Sequence, residues 1–119
     1  MILLIKGRIT MQLSDDEVMV VLPELTKQIG MTSVGPVHIQ HFDLPQHQGL
    51  GISAVQFLAE SHILLHYYTN EIGINIFSCK DIPVSRAVRF CYKTFHIRPP
   101  REFRVIPWDF EREVAHAKT

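Results

Sequence analysis

The chain has 119 residues, with twelve basic side chains balanced by twelve acidic ones and hydrophobic residues at 46%. That length permits one domain, residues 1–119, around one core. The charge balance excludes the broad basic field expected of a nucleic-acid or anionic-lipid binder. No apolar run approaches the roughly 18 residues of a membrane span. The opening "MILLIKGR" is too short for a signal peptide and runs straight into charge, so a cytoplasmic protein is expected. Cys79 and Cys91 are too few for a disulfide scaffold. The one basic concentration, Arg86, Arg89, Lys93, Arg98, Arg101 and Arg104, reads as the solvated face of a helix and its exit loop.

"ILLIKGRITM" predicts a strand. "SDDEVMVVLPELTKQIG" predicts a helix: Ser14 caps it, Glu17 completes a capping box and Gly30 stops it. Val18, Val21, Leu22, Leu25 and Ile29 form its apolar face, and Pro23 should kink it or split off its first turns. "MTSVGPVHIQHFDL" predicts a second strand and "PQHQGLG" a connection. Three apolar segments follow, "ISAVQFLA", "SHILLHYY" and "IGINIFSC", with "TNE" as a hairpin turn between the last two. "PVSRAVRFCYKTFHI" predicts a second helix buried along Val84, Val88, Cys91 and Phe95. "EFRVIPW" predicts a last strand, and "DFEREVAHAKT" a polar tail with a short helix.

The order β-α-β-β-β-β-α-β implies an α+β protein: a two-layer α/β sandwich whose mainly antiparallel sheet carries both helices on one face. The other face must then be covered by a second subunit or used as an active site. "ISAVQFLAESHILLHYY" also allows a single helix, which would set His62 and His66 at the i,i+4 spacing of a metal pair. On a strand the two histidines lie about 13 Å apart, at roughly 3.3 Å per residue, and cannot share one ion.

The chemistry centres on Glu60-Ser61-His62. At a tight strand entry a serine hydroxyl can attack the preceding carbonyl and turn the amide into an ester. β-Elimination then cuts the chain and leaves dehydroalanine, which hydrolyses to a pyruvoyl group. That ketone can form a Schiff base with a substrate amine and act as an electron sink.

"GISAVQFLAESHILLH" followed by "INIFSC" resembles the prokaryotic S-adenosylmethionine decarboxylase proenzymes. In that family a Gly-x-Ser-Gly segment leads to Glu-Ser-His, a further histidine and a Phe-Thr-Cys-Gly strand end. The resemblance covers roughly residues 2 to 107, and its specific part is residues 49 to 79. It implies autocatalytic cleavage between Glu60 and Ser61 into 1–60 and 61–119, with a pyruvoyl cofactor derived from Ser61. It further implies processing roles for His66 and Ser53, and Cys79 as the proton donor in turnover, dispensable for cleavage. Phe42 and Glu71 are the candidates for holding the adenosyl group, and no metal site is implied.

Ser61 and His66 are five positions apart, so a regular strand points them to opposite faces about 16 Å apart. The family's shared-site homodimer would resolve this, with Ser61 and Cys79 of one copy facing Ser53 and His66 of its mate. Cys91 reads as core.

The sequence departs from the family at several places. "HYYTNE" replaces His-Thr-Trp-Pro-Glu, Ala54 replaces a glycine, Asn75 an aspartate and Lys80 a glycine. The usual Gly-x-His is missing from the first strand, and "DLPQHQ" after Phe42 is longer than usual. Three readings stay open. One is adenosylmethionine decarboxylation, which supplies the aminopropyl donor for spermidine biosynthesis. The others are a pyruvoyl-dependent arginine or ornithine decarboxylase and a non-catalytic regulatory paralogue.

Overall fold

A computed structural model describes residues 1–44 and 49–107. The elements are β1 (Ile2–Arg8), α1 (Asp15–Gln28), β2 (His38–Leu44), β3 (Gly49–Leu58), β4 (Ser61–Tyr67), β5 (Glu71–Phe77), α2 (Val84–Thr94) and β6 (Arg98–Ile106). They follow the order read from the sequence. The strands form one six-stranded sheet in the order β2-β3-β4-β5-β1-β6, with every neighbouring pair antiparallel. The expected helix in the tail beyond residue 108 lies outside the described residues.

Alternation divides the sheet into two unlike faces. Ile63, Leu65 and Tyr67 of β4, Ile72, Ile74 and Ile76 of β5, and Leu3 and Ile5 of β1 are buried on one face. They join Val18, Leu22 and Leu25 of α1 and Val88, Cys91 and Phe95 of α2 in a single core. Tyr67 locks both helical regions to this face: its ring meets Phe95 edge-on, and its hydroxyl accepts the Leu13 N–H at 3.3 Å. Burial raises the Tyr67 phenol to about 12, so it stays a neutral hydrogen-bonding group.

The opposite face carries three tiers of aligned side chains. One runs Gln40, Ser53, His66, Gly73, Lys6, Glu102; the next His38, Val55, Leu64, Asn75, Leu4, Arg104; the third Phe57, His62, Phe77, Ile2, Ile106. No described helix covers it, as expected for a two-layer sandwich.

The α1 boundaries follow from capping chemistry. Ser14 Oγ accepts the Glu17 N–H, and the Glu17 carboxylate accepts the Ser14 N–H, giving the full capping box. Gly30 follows the helix at φ 75°, which only a residue without Cβ adopts freely. Pro23 does not split the helix, which runs unbroken from Asp15 to Gln28. The carbonyl that loses its partner belongs to Met19, an exposed residue, where water can replace the missing N–H. Val21 and Val84, expected in the buried stripes, are only half-buried; Thr26 and Ala87 take their place in the core.

Ser14→Ala is expected to lower unfolding free energy by about 1 kcal/mol in urea titrations. The Ser14 hydrogen bonds hold the Glu17 carboxyl below the usual range. Glu17's contribution is therefore complete above the ordinary glutamate pKa and disappears as pH falls through the lowered one.

Candidate functional site

The β3–β4 hairpin turns through only Ala59 and Glu60, between the paired Leu58 and Ser61. Glu60 sits at φ 62°, the left-handed region, at a cost of about 1–2 kcal/mol for a residue with a Cβ. The backbone is therefore under tension at the peptide bond the sequence marks for cleavage.

Ser61 begins β4 on the helix-covered face and is only 8% exposed. Its Oγ receives the Cys79 backbone N–H at 3.4 Å. The Cys79 thiol donates to the Glu60 carbonyl oxygen at 2.7 Å. One residue thus touches both the hydroxyl that would attack and the carbonyl it would attack.

Cys79 is aimed there by Ser78, a residue with no role in the sequence reading. Ser78 is fully buried; its Oγ donates to the Lys80 carbonyl and accepts the Lys80 N–H, closing a tight bend around Cys79. Reciprocal backbone hydrogen bonds between Met1 and Ser78 then tie the bend to the start of β1. The hydroxyl preceding the cysteine in "FSC" is the signal that could have found it. Lys80 has no left-handed backbone, so replacing the family's glycine there imposes no strain of that kind.

Ser53 and His66 are directly paired across β3 and β4, and Ser53 Oγ and His66 Nδ1 are hydrogen-bonded at 2.8 Å. Both lie on the open face, where His66 also stacks on Tyr68 with ring centroids 6.4 Å apart. The structure therefore brings together two pairs, Ser61 with Cys79 and Ser53 with His66, but not the pairs with each other. Within one copy Ser61 and His66 point to opposite faces, about 16 Å apart along β4. His62 and His66 lie on a strand rather than a helix, about 13 Å apart, which removes the shared-ion reading of that pair.

Phe42 and Glu71 stand on the open face with Ser53 and His66. Phe42 is opposite Gly51 on β2, and Glu71 begins β5 in the alternation set that contains Gly73 and Asn75. Glu71 also lines a cleft of about 350 Å³ with Lys6, Gly7, Arg8, Ile72, Pro100, Arg101 and Glu102. Phe42 and Glu71 are three strand spacings apart, about 14 Å. Ala54 is buried on the helix-covered face, so its methyl group does not crowd Ser53 or His66.

The profile of the S-adenosylmethionine decarboxylases matches residues 10–104, a span containing both pairs. The chain belongs to that family. The match starts after β1, so the strand lacking the family's usual Gly-x-His lies before it. No match was found among curated proteins. Family membership associates the chain with decarboxylation of S-adenosylmethionine and with polyamine biosynthesis. No helix among the described residues is long and apolar enough to cross a membrane.

The resemblance implies a pyruvoyl group made from the chain itself, so the fit to test is that of its precursor. A left-handed Glu60 followed by the Ser61 hydroxyl suits an acyl shift at this bond, and the thiol adds a hydrogen-bond donor to the Glu60 carbonyl.

The two cysteines differ in the way their sites require. Cys79 is exposed, whereas Cys91 is fully buried, and burial pushes its thiol up to about 12. Brief treatment of the folded protein with iodoacetamide at pH 8 should alkylate Cys79 and leave Cys91 unmodified until denaturant is added. Peptide mass mapping would show it, and early labelling of Cys91 would contradict the packing of α2.

Proposed function

We propose that the chain is a self-cleaving proenzyme which decarboxylates S-adenosylmethionine with a pyruvoyl group formed from Ser61, yielding the aminopropyl donor for spermidine biosynthesis. The observation that carries this is the Cys79 thiol on the Glu60 carbonyl beside the Ser61 hydroxyl.

The chain's own residues account for the cut. Ser61 Oγ attacks the Glu60 carbonyl carbon; the C–N bond breaks as the ester C–O bond forms, and the Ser61 nitrogen becomes a free amine. The carbonyl oxygen gains negative charge on the way, and the thiol hydrogen bond stabilises it, as a donor in an oxyanion hole does. Relief of the left-handed Glu60 favours the same direction. A base then removes the Ser61 Cα proton, the Glu60 carboxylate leaves from Cβ, and the resulting dehydroalanine hydrolyses with loss of ammonia. His66, paired with Ser53, is the assigned base.

Within one copy that base is too far away and on the wrong face, so we assign it to the mate. The open face supports this, because Leu4, Val55, Leu64 and Phe77 form an apolar centre with no helix over it among the described residues. A two-fold contact makes two equivalent composite sites; because Ser61 opens β4 on the helix-covered side, the mate's His66 has to reach it around the β3–β4 turn and not through the sheet. Phe42 and Glu71 would then enter the site from the same copy as Ser53 and His66.

Once formed, the pyruvoyl ketone supplies a covalent hold on the substrate amine and takes up the electron pair released with CO₂. Cys79, whose thiol reaches the Glu60 carbonyl, is the assigned proton donor to the carbon that has lost CO₂, and Glu71 is the assigned carboxylate for the ribose hydroxyls.

Intact mass of the purified protein is expected to show fragments 1–60 and 61–119. Ser61→Ala is expected to abolish cleavage and CO₂ release from labelled S-adenosylmethionine together. Single uncleaved chains from wild type would leave the non-catalytic paralogue standing. Turnover of arginine or ornithine instead would identify the other pyruvoyl decarboxylase.

The contact with the Glu60 carbonyl gives Cys79 a part in cleavage that the family resemblance does not: Cys79→Ala should slow cleavage roughly ten- to a hundredfold, less than loss of an amide donor because S–H donates weakly. Cleavage at the wild-type rate would remove the thiol from the first step. Leu64→Arg should break the open-face contact and leave chains that do not cleave; cleavage by chains that have lost that contact would refute the shared site.

A further inference from the structure

Strand β6 is the last strand of the sheet, and its outer edge faces no described strand. The direction of its backbone groups follows from the other end of the same ladder. Met1 and Ser78 exchange both backbone hydrogen bonds, so the odd residues of β1 bond to β5 and the even ones turn to β6. Ile2, Leu4 and Lys6 pair with Ile106, Arg104 and Glu102, which therefore spend their backbone groups on β1. Arg101, Phe103 and Val105 are left with N–H and C=O groups pointing outward. Phe103 and Val105 also expose their side chains, at 48% and 40%. Pro99 and Pro100 on one side and Pro107 on the other confine the usable edge to residues 101–105.

We propose that this edge pairs with the same edge of a second copy, antiparallel, across a two-fold axis through Phe103. Only registers that match outward residues with outward residues complete the ladder. Setting the axis at Glu102 opposes two carboxylates, and setting it at Arg104 opposes two guanidinium groups. With the axis at Phe103, Glu102 of each copy meets Arg104 of the other, twice over, and Phe103 meets Phe103. Arg101 and Val105 then exchange backbone hydrogen bonds across the seam. The occupant is a second copy because the strand's charge pattern is self-complementary in this single register.

The contact is independent of the shared active site proposed above. Glu102 and Arg104 lie on the open face, but Phe103 projects on the helix-covered side with Ile5. Two copies packed through their open faces would hold their Phe103 side chains apart.

The test uses full-length protein in a Cys79→Ser background, leaving buried Cys91 as the sole native thiol. Phe103→Cys should form a disulfide-linked pair of chains under mild oxidation, since directly opposed residues are about 5.5 Å apart at Cα. Val105→Cys should not, since in this register the two introduced cysteines lie about 13 Å apart along the seam. In sedimentation velocity, Glu102→Arg and Arg104→Glu should each halve the mass of the wild-type assembly, and combining them should restore it. Lys6→Ala, which removes the in-chain partner of Glu102 at 3.2 Å, should leave the mass unchanged. Absence of the Phe103→Cys disulfide, equal cross-linking of Val105→Cys, or no mass change in either charge variant would overturn the edge pairing. Leu64→Arg reports on the open face separately, so the two contacts fail independently.

Discussion

The register of β3 against β4 is the constraint on which the rest of the site depends. One ladder opposes Leu58 to Ser61 at the turn and Ser53 to His66 further along. The two-residue turn forces Glu60 into the left-handed region, and the strand period puts Ser61 beneath the helices. The same period, continued over five residues, delivers His66 to the open face. A slip of one residue would exchange the faces of every side chain on β4, placing Ile63, Leu65 and Tyr67 in solvent. The hydrophobic core therefore holds the register of the proposed site as a by-product of holding itself.

That constraint separates the two halves of the proposed chemistry. The Ser61 half sits at one end of the sheet with the thiol that contacts the Glu60 carbonyl. The Ser53–His66 half sits near the other end, on the opposite side, with Phe42 and Glu71. Neither half can be moved toward the other without breaking the ladder. The two-copy assembly proposed above would reunite them, and it would also cover Leu4, Leu64 and Phe77 on the open sheet face.

Much of this was legible in the residues because periodicity and capping act locally. The order of eight elements follows from alternation in the strands, the Ser14–Glu17 box and the Gly30 stop. The opposite facing of Ser61 and His66 follows from counting alone. What the residues conceal is non-local. The contact of the Cys79 thiol with Glu60 spans 19 positions and depends on how the β5 exit packs against the β3–β4 turn. The part played by Ser78 depends on its burial, which its residue type does not announce. The split expected as one outcome at Pro23 does not occur, for the converse reason: it hinges on whether the orphaned Met19 carbonyl meets water, a matter of tertiary exposure.

The placement of the strained turn bears on how the protein can be made. Glu60 lies in the only covalent link between β3 and β4, two adjacent central strands of the sheet. While the link is intact, those strands find each other by closing a loop of two residues, among the cheapest closures a chain can make. Cutting it leaves the folded ladder in place but turns any later refolding into an encounter between two separate chains, dependent on their concentration. A cut molecule would then owe its endurance to the height of its unfolding barrier, since the route by which it first folded is gone.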